Sequence, residues 1–286
     1  MNALVMRLSA LLATLRGGFA GNVAMLVGGA VVGHVVTLLV MPVLTRIYPQ
    51  EAFGALGVLV TTSAVLAVSA CLRYELAIPL QSAHRDAVGL VVLSVACATL
   101  LSALVAVVLA AASAFHLGRE DLLPPIVRTL LPVTVWVTSL YSIFQYWTIR
   151  MSRVGVVART QATRALGGGG VQIGLGALQA GSVGLMIGHL VSLLIATVVY
   201  IAGMLRYDRE HLRAFKPADL PRLAASERRF PLFSAPEAIL DSAANNLPLV
   251  IIGYYAGAAE AGAMFLAQRT CAMPIALIGA PEIFSK

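Results

Sequence analysis

The chain has 286 residues, of which 59% are hydrophobic and only 12% are charged, and its formal net charge is +7. Soluble domains average about a quarter charged residues because their surface faces water. This composition therefore excludes a soluble globular domain and predicts an integral membrane protein. Nothing pairs a basic face with stacking aromatic residues, so we expect no nucleic acid as a partner. The three scattered cysteines show no metal-ligand spacing, so we expect no metal site.

Long apolar runs, taken in chain order, predict eight spans and an all-α polytopic membrane fold. A hydrocarbon core about 30 Å thick needs roughly 20 apolar residues in an α-helix. Continuous rather than alternating hydrophobicity excludes the strands of a barrel. The predicted spans are residues 22–44, 54–72, 87–115, 129–149, 165–181, 183–205, 232–256 and 260–281. The fifth span is the weakest, because it is short and rich in glycine.

The basic residues predict how these spans are oriented. Lys and Arg accumulate in cytoplasmic connections, and 16 of the 20 basic residues lie in terminal segments and connections that share one side. The other side holds Arg46, Arg119 and Arg128, and Arg269 lies within the eighth span. We therefore expect both termini in the cytoplasm, with the basic loop 206–231 lying along the anionic inner leaflet.

Two segments that lie six spans apart are similar to each other. Each places a proline six residues before a tyrosine, followed by a Glu-Ala pair and a glycine. The members are Pro42, Tyr48, Glu51 and Gly54 in the first segment, and Pro248, Tyr254, Glu260 and Gly262 in the second. An even offset keeps both segments in the same direction, so they predict a parallel repeat about an axis along the membrane normal, as in many transporters. The alternative is a chance similarity between two apolar segments.

The repeat divides the chain into three parts. Residues 1–205 form a six-helix lobe, 206–231 form a basic cytoplasmic inter-lobe loop, and 232–286 form the first two helices of a second lobe that is incomplete. Alternating access needs one lobe to rock against the other around a shared site. We therefore expect that the chain as given does not transport a substrate as a monomer.

The fourth predicted span carries a stripe of polar side chains. Five polar residues recur at steps of three and four, which places them on one helix face. They are Thr134, Thr138, Tyr141, Gln145 and Thr148. Polar groups that face lipid are costly, so this face either lines a cavity or forms hydrogen bonds with a neighbouring helix. We take Tyr141 and Gln145 as candidate substrate-binding residues.

The seventh predicted span carries two carboxylates one helical turn apart. Glu237, Asp241 and Asn245 follow one another at steps of four. Two such carboxylates cannot both stay ionised in a low dielectric without a partner. Glu237 and Asp241 are therefore candidates for the coupling ion, and Asn245 is a candidate for the substrate. The alternative is that both acids lie near the inner interface and are neutralised by the arginines at 228–229.

Three charged residues near or inside other spans are further substrate-binding candidates. Arg73 and Glu75 close the second span, and Arg269 lies midway through the eighth. An intramembrane arginine is a functional candidate by default, because it binds phosphate or carboxylate groups through two parallel hydrogen bonds. The alternative is that Arg269 forms a buried ion pair with Asp241 or Glu260.

Four stretches of the chain resemble a known family. Residues 41–54, Met-Pro-Val-Leu-Thr-Arg-Ile-Tyr-Pro-Gln-Glu-Ala-Phe-Gly, and 73–79, Arg-Tyr-Glu-Leu-Ala-Ile-Pro, resemble the start of bacterial polysaccharide biosynthesis proteins. These are the O-antigen and exopolysaccharide flippases of the multidrug/oligosaccharidyl-lipid/polysaccharide exporter superfamily. Residues 230–236 and 246–253 resemble the seventh span of that family. Its members usually have twelve or more spans in two six-helix lobes around a central cavity, whereas this sequence ends in or just after the eighth.

The resemblance implies a function. It implies flipping of undecaprenyl-pyrophosphate-linked oligosaccharide repeat units across the bacterial inner membrane by alternating access, for O-antigen, capsule or exopolysaccharide synthesis. The implied partners are this lipid-linked substrate, H+ or Na+ as coupling ion, and the polysaccharide polymerase machinery. Two alternatives stay open: a cation-coupled multidrug exporter of the same superfamily, and a truncated membrane protein that transports nothing. The sequence has no nucleotide-binding motif and no nucleophile–histidine–acid set, so we expect neither an enzyme nor a cofactor.

Overall fold

The structure, a computed structural model, describes residues 19–114, 125–213 and 215–279. Within these ranges eight long helices follow the order of the predicted spans, and there is no strand. In chain order they are α1 (Phe19–Ile47), α2 (Gln50–Ala70), α3 (His84–Ala114), α4 (Pro125–Arg150), α5 (Val154–Ala177), α6 (Gly181–Tyr207), α7 (Ala235–Tyr255) and α8 (Ala258–Gly279). The described part of the chain is therefore all-helical.

Four of these helices are long and apolar enough to cross a membrane, namely α2, α3, α4 and α6. Within α1, the segment Val31–Ile47 is a shorter apolar helix. The prediction of an all-α membrane protein is thus confirmed in this coarser form, and the number of eight spans stays a prediction. Charged residues lower the hydropathy of two of the other helices, since α5 includes Arg159 and Arg164 and α7 includes Glu237 and Asp241.

The helix α5 begins at Val154, eleven residues before the predicted fifth span at 165–181. The predicted spans leave residues 150–164 as a cytoplasmic connection, so the prediction that Arg159 and Arg164 lie in a connection is wrong. A charged side chain ends an apolar run in a sequence, but it does not end a helix when it faces the protein interior. Arg164 is half-buried between α5 and α6, where its Nε donates a hydrogen bond to Ser192 Oγ at 3.2 Å.

The helix α2 lies at the centre of the bundle. It packs on α3, α4, α6, α7 and α8, and it buries Phe53, Leu56 and Leu59. The helix α5 packs between α1 and α6. Glycine permits this close packing, because a Cβ atom at Gly29 of α1 would overlap the backbone of Ala158 in α5.

The two segments of the sequence repeat meet where α2 and α8 begin. A Cβ atom at Gly54 would overlap the carbonyl oxygen of Ala258, and one at Gly262 would overlap the carbonyl oxygen of Gln50. Each glycine therefore contacts the residue four positions before the other glycine. This reciprocal contact is what a local two-fold relationship between α2 and α8 produces, and the parallel repeat itself stays a prediction.

The segment between α6 and α7 folds onto the bundle. It forms short helices at Arg209–Arg213, Pro217–Asp219, Leu220–Ser226 and Phe230–Ser234. Arg222 Nη2 lies 2.8 Å from Asp86 Oδ1 at the start of α3, and Arg153 Nη2 lies 2.6 Å from Asp208 Oδ1. Leu223 is buried against α3. Opposite charges and this apolar contact dock the segment on the helix ends, and its position along the inner leaflet stays a prediction.

Candidate functional site

A cavity of about 380 Å³ lies between α1, α2, α5, α6 and α8. Its polar lining combines cations with neutral hydrogen-bonding groups: His34, Thr37, Gln161, Arg164, Gln172, His189, Ser192 and Arg269. No carboxylate is among the described residues that line it. The rest of the wall is largely apolar and includes Leu38, Met41 and Phe53. The cavity therefore suits an anionic ligand that also carries hydroxyl groups.

Helical periodicity brings these side chains together. On each of three helices the lining residues recur at steps of three and four, so they share one helix face. They are Gln161, Arg164, Gly168 and Gln172 on α5, Leu185, His189 and Ser192 on α6, and His34, Thr37, Met41 and Leu44 on α1. The close packing of α5 between α1 and α6 turns the three faces toward the same space.

Arg164 is held in place from behind by Tyr141 of α4. The guanidinium carbon of Arg164 lies 4.9 Å from the centre of the Tyr141 ring, a distance at which the ring attracts the cation. The Tyr141 hydroxyl accepts a hydrogen bond from Gln161 Nε2 at 2.9 Å. Among the hydrogen bonds of the described residues, none uses the Nη groups of Arg164, so both are available to a ligand.

Arg269 is the second arginine of the cavity, and it has no counter-ion in the described part of the chain. The alternative pairing of Arg269 with Asp241 or Glu260 is therefore not observed there. Its guanidinium carbon lies 5.7 Å from the centre of the Phe265 ring. Arg164 and Arg269 act electrostatically on each other and on His189. Arg164 is half-buried and Arg269 is exposed, and both line the cavity without an acid among its described residues, so an anion between them would pair with both charges.

Of the residues predicted to bind the substrate, Arg269 is the one that lines this cavity. Tyr141 contacts two lining residues from outside, and Gln145 is half-buried on α4 away from the lining. Asn245 is exposed on α7, where its Nδ2 donates a hydrogen bond to Asp241 Oδ1 at 3.1 Å. The candidate substrate-binding residues therefore lie at different places in the structure, and they do not form one site.

The predicted ion-coupling residues Glu237 and Asp241 are both exposed on α7 and do not line the cavity. Neither forms an ion pair with the arginines at 228–229 within the described residues. The two carboxylates therefore form no enclosed ion site in the part of the chain that the structure describes. The physical reason is that α7 packs on α2 and α8 with its other side.

Arg73 and Glu75 lie just beyond the end of α2, about 30 Å along that helix from the cavity residue Phe53. They therefore cannot share a ligand site with Arg269 in this arrangement. Arg73 Nη1 lies 3.8 Å from Glu75 Oε1. Burial raises the pKa of Glu75 from an ordinary 4.5 to about 7, against the opposing effect of the Arg73 charge.

The cavity residues of α5 are not evident from apolar runs in the sequence. Arg164 ends such a run, so Gln161 and Arg164 fall in a connection and Gln172 stands alone in a glycine-rich span. The spacing of Gln161, Arg164, Gly168 and Gln172 is nevertheless a readable signal of one polar helix face. A periodicity search that tolerates charge inside a span would find it.

Within the described residues, no group of three or more His, Cys, Asp or Glu side chains lies close enough together to hold a metal ion. In comparisons with known proteins, no family model, curated protein or solved structure matches the chain.

Proposed function

We propose that the chain functions in the transport of an anionic lipid-linked oligosaccharide across the bacterial inner membrane by alternating access. Since residues 232–286 form only the first two helices of a second lobe, we expect this transport from an assembly that completes the lobe and not from the monomer. The observation that carries the proposal is the cavity of about 380 Å³, in which two arginines and two histidines meet with no carboxylate among the described lining residues. The substrate we propose is an undecaprenyl-pyrophosphate-linked repeat unit for O-antigen, capsule or exopolysaccharide synthesis. This is the substrate of the flippases whose motifs the sequence resembles.

The charge of the cavity matches a pyrophosphate group. An arginine inside a membrane protein is costly unless it has a partner, and the described ion pairs include neither Arg164 nor Arg269. A pyrophosphate brings more than one negative charge and several acceptor oxygens, which arginine binds through paired hydrogen bonds. Its binding would relieve the repulsion between the two guanidinium groups and neutralise the ligand in the same step.

The neutral part of the lining suits a sugar. Thr37, Gln161, Gln172 and Ser192 line the cavity and offer donors and acceptors for hydroxyl groups. Small-ligand sites range from about 300 to 1,000 Å³. A cavity of about 380 Å³ lies at the lower end of that range, so it accommodates the pyrophosphate and the first sugar. The polyprenyl chain and the remaining sugars would extend beyond it.

The contact between Gly54 and Gly262 supports a transport cycle with two lobes. On this proposal residues 1–205 form the first lobe, 232–286 begin the second, and both termini lie in the cytoplasm. The helices α2 and α8 then begin at the periplasmic side, where their close packing would close the cavity toward the periplasm. Rocking of the lobes would separate these two helix ends and release the substrate outward.

A cation-coupled drug exporter is less well supported. Such a protein needs acidic groups in its cavity to attract cationic drugs. The acids Glu237 and Asp241 lie exposed on α7, outside the described cavity lining. The cations of the lining would instead repel a cationic drug, so an anionic substrate is the better match.

Binding of a ligand series tests the proposal. The protein in lipid nanodiscs is titrated with undecaprenyl pyrophosphate, undecaprenyl phosphate and undecaprenol, which share one tail and differ in charge. We expect the affinity to fall in that order. The double variant Arg164→Gln/Arg269→Gln should lose at least about 100-fold in pyrophosphate affinity, since each of the two lost hydrogen bonds to a charged group contributes about 1.5–3 kcal/mol. Equal affinity for all three ligands would mean that only the tail binds.

A control variant and a transport assay complete the test. Arg213→Gln removes an exposed arginine from a short helix outside the cavity, so it should bind as the wild type does. Flipping is measured in proteoliposomes with a fluorescent pyrophosphate-linked sugar and a quencher that does not cross the membrane. A sugar that is flipped to the inner leaflet is no longer quenched. An assembled protein that binds the ligand series as expected but flips nothing would contradict the transport function.

A further inference from the structure

The link between α2 and α3 contains a strained turn. Leu72 and Arg73 have φ values of +48° and +60°, in the left-handed region that residues with side chains rarely adopt. A 3₁₀-helix, Tyr74–Leu80, follows the turn. Arg150 of α4 holds the end of this helix, where its Nη1 donates a hydrogen bond to the Ile78 carbonyl oxygen at 3.1 Å. Such strain persists only where surrounding contacts enforce it, and it is typical of switch regions.

Glu75 lies inside this hinge, which we define as residues 72–80, and its charge is poorly compensated. Only 5% of its side chain is exposed, and its Oε1 lies 3.8 Å from Arg73 Nη1, longer than the roughly 2.7–2.9 Å of a charge-assisted hydrogen bond. Within the described structure, Glu75 Oε2 and Arg73 Nε are buried without a hydrogen-bond partner. This setting shifts the balance from the carboxylate toward the neutral acid, and burial raises the pKa of Glu75 to about 7.

Few other charges act on Glu75. The titratable or charged groups on the hinge and on the elements packed around it include Cys71, Arg73, Tyr74, Cys97 of α3, Tyr146 and Arg150 of α4, and Glu227 before α7. At the start of α3, His84 stacks on His211, Arg85 pairs with Asp219, and Asp86 pairs with Arg222. Arg150 is engaged by backbone carbonyl oxygens, and Glu227 accepts a hydrogen bond from Gln81. Cysteine and tyrosine side chains are neutral near pH 7. Arg73 is therefore the charge that opposes protonation of Glu75.

We infer that Glu75 is a proton-binding site, and that the proton it binds is the coupling ion that drives the proposed transport cycle. The coupling to transport rests on the function proposed above, whereas the proton site does not. In each cycle one proton adds to the carboxylate and leaves it again, and no other bond forms or breaks. A proton fits this place better than Na+. A metal cation requires several oxygen ligands, whereas Glu75 offers one carboxyl group beside the positive charge of Arg73.

Movement of the hinge reaches the cavity through α2. This helix ends at the hinge, lines the cavity with Phe53 and Leu56, and meets α8 at Gly54. When Glu75 loses its proton, its carboxylate needs closer contact with Arg73 or with water. The buried side chain gains that contact only if the hinge opens. Opening therefore shifts one end of the helix whose other end closes the cavity against α8.

Hydrogen exchange of the hinge amides tests the proton site without any substrate. The full chain in nanodiscs is compared at pH 6 and pH 8, with rates corrected for intrinsic exchange. A carboxyl pKa of about 7 in the closed hinge and 4.5 in the open one makes opening about tenfold more favourable at pH 8 than at pH 6. Glu75→Gln should remove this difference, and Glu75→Asp should retain it. The control Glu51→Gln, exposed at the start of α2, should behave as the wild type does.

The assignment is overturned if the wild type shows no pH effect, or if Glu75→Gln retains it. Unchanged exchange in α5 and α6 verifies that the variant is folded. Arg73→Gln supplies a second test that does not depend on Glu75→Gln folding: without the opposing cation, the pH of opening should rise. Exchange that depends on Na+ rather than pH would also overturn the assignment.

The coupling is tested separately in proteoliposomes. A pH gradient should drive flipping by the wild type and should fail to drive flipping by Glu75→Gln. Flipping by Glu75→Gln that still follows the gradient would overturn the coupling. If the wild type neither binds pyrophosphate lipids nor flips them, the proposed function and the coupling both fail, and the exchange data alone decide the proton site.

Discussion

The polar faces of α5 and α7 have similar spacing but opposite surroundings. On α5, Gln161 and Arg164 face a cavity that α1 and α6 enclose. On α7, Asn245 donates a hydrogen bond to Asp241, and both side chains are exposed. Periodicity identifies a polar face on both helices, but it does not say what covers that face.

Whether a polar helix face is covered depends on which neighbouring helices can pack closely against it. Glycines on α1, α5 and α6 let these three helices pack tightly around the cations of the cavity. The helix α7 packs on α2 and α8 with one side and has no described helix over its acids. A carboxylate that faces hydrocarbon is costly, so this face requires water or another protein surface in the membrane.

Charge reversal inside the cavity should have the largest effect. Arg164→Glu replaces one cation of the cavity with a carboxylate. The new carboxylate would also form an ion pair with Arg269, so neither position would offer a free cation to the ligand. We expect pyrophosphate-lipid affinity to fall by more than about 100-fold in a nanodisc titration. Arg164→Lys keeps the charge without the paired hydrogen bonds and should lose about tenfold. Unchanged affinity in Arg164→Glu would place the ligand outside the cavity.

Gly29→Ala should disrupt the packing that encloses the α5 face. The added methyl group overlaps Ala158, so the two helices must separate, at a cost of about 1–3 kcal/mol. The measurement is the denaturation midpoint in detergent, which should fall. Gly170→Ala is the matched control on α5, because no heavy atom lies within 4 Å of its added Cβ. Equal behaviour of the two variants would contradict the close approach of α1 and α5.

Loss of the support behind Arg164 should have a smaller effect. Tyr141→Leu removes both the ring under the guanidinium group and the hydroxyl that bonds Gln161. We expect about tenfold weaker pyrophosphate binding, and about threefold for Tyr141→Phe, which keeps the ring. The ratio of the two variants measures the ring's contribution. If Tyr141→Leu binds as the wild type does, Tyr141 does not position Arg164.

Asp241→Asn on α7 should have the smallest effect. The side chain keeps its shape, is exposed, and lies outside the described cavity lining, so pyrophosphate-lipid affinity should stay within about twofold. The same titration measures it. A large loss of affinity would mean that the α7 acids do act on the ligand, and it would remove the contrast between the two helices.

The positions of the long helices follow from physics that is visible in a single sequence. A run of about 20 apolar residues predicts a spanning helix, and the structure has a long helix at each of the eight predicted places. The start of α5 is the main difference. Arg159 and Arg164 read as polar residues of a connection, although the helix continues through both of them.

The candidate site was less accessible to sequence reasoning. Arg269 stands out because it interrupts an apolar run, and it does line the cavity. Arg73 and Glu75 stand out for the same reason but lie at the far end of α2. A charge within an apolar region signals a special environment, but it carries no information about depth or about neighbours from other helices.

Composition, run length and periodicity were sufficient for the helical membrane class and for the existence of polar faces. These properties are local, because they depend on residues within one helix and on the thickness of a bilayer. The meeting of Arg164 from α5 with Arg269 from α8 depends on the folded structure, as do the exposure of Asp241 and the burial of Glu75. Each of these depends on helices that are distant in the chain, and close packing alone determines which of their side chains meet.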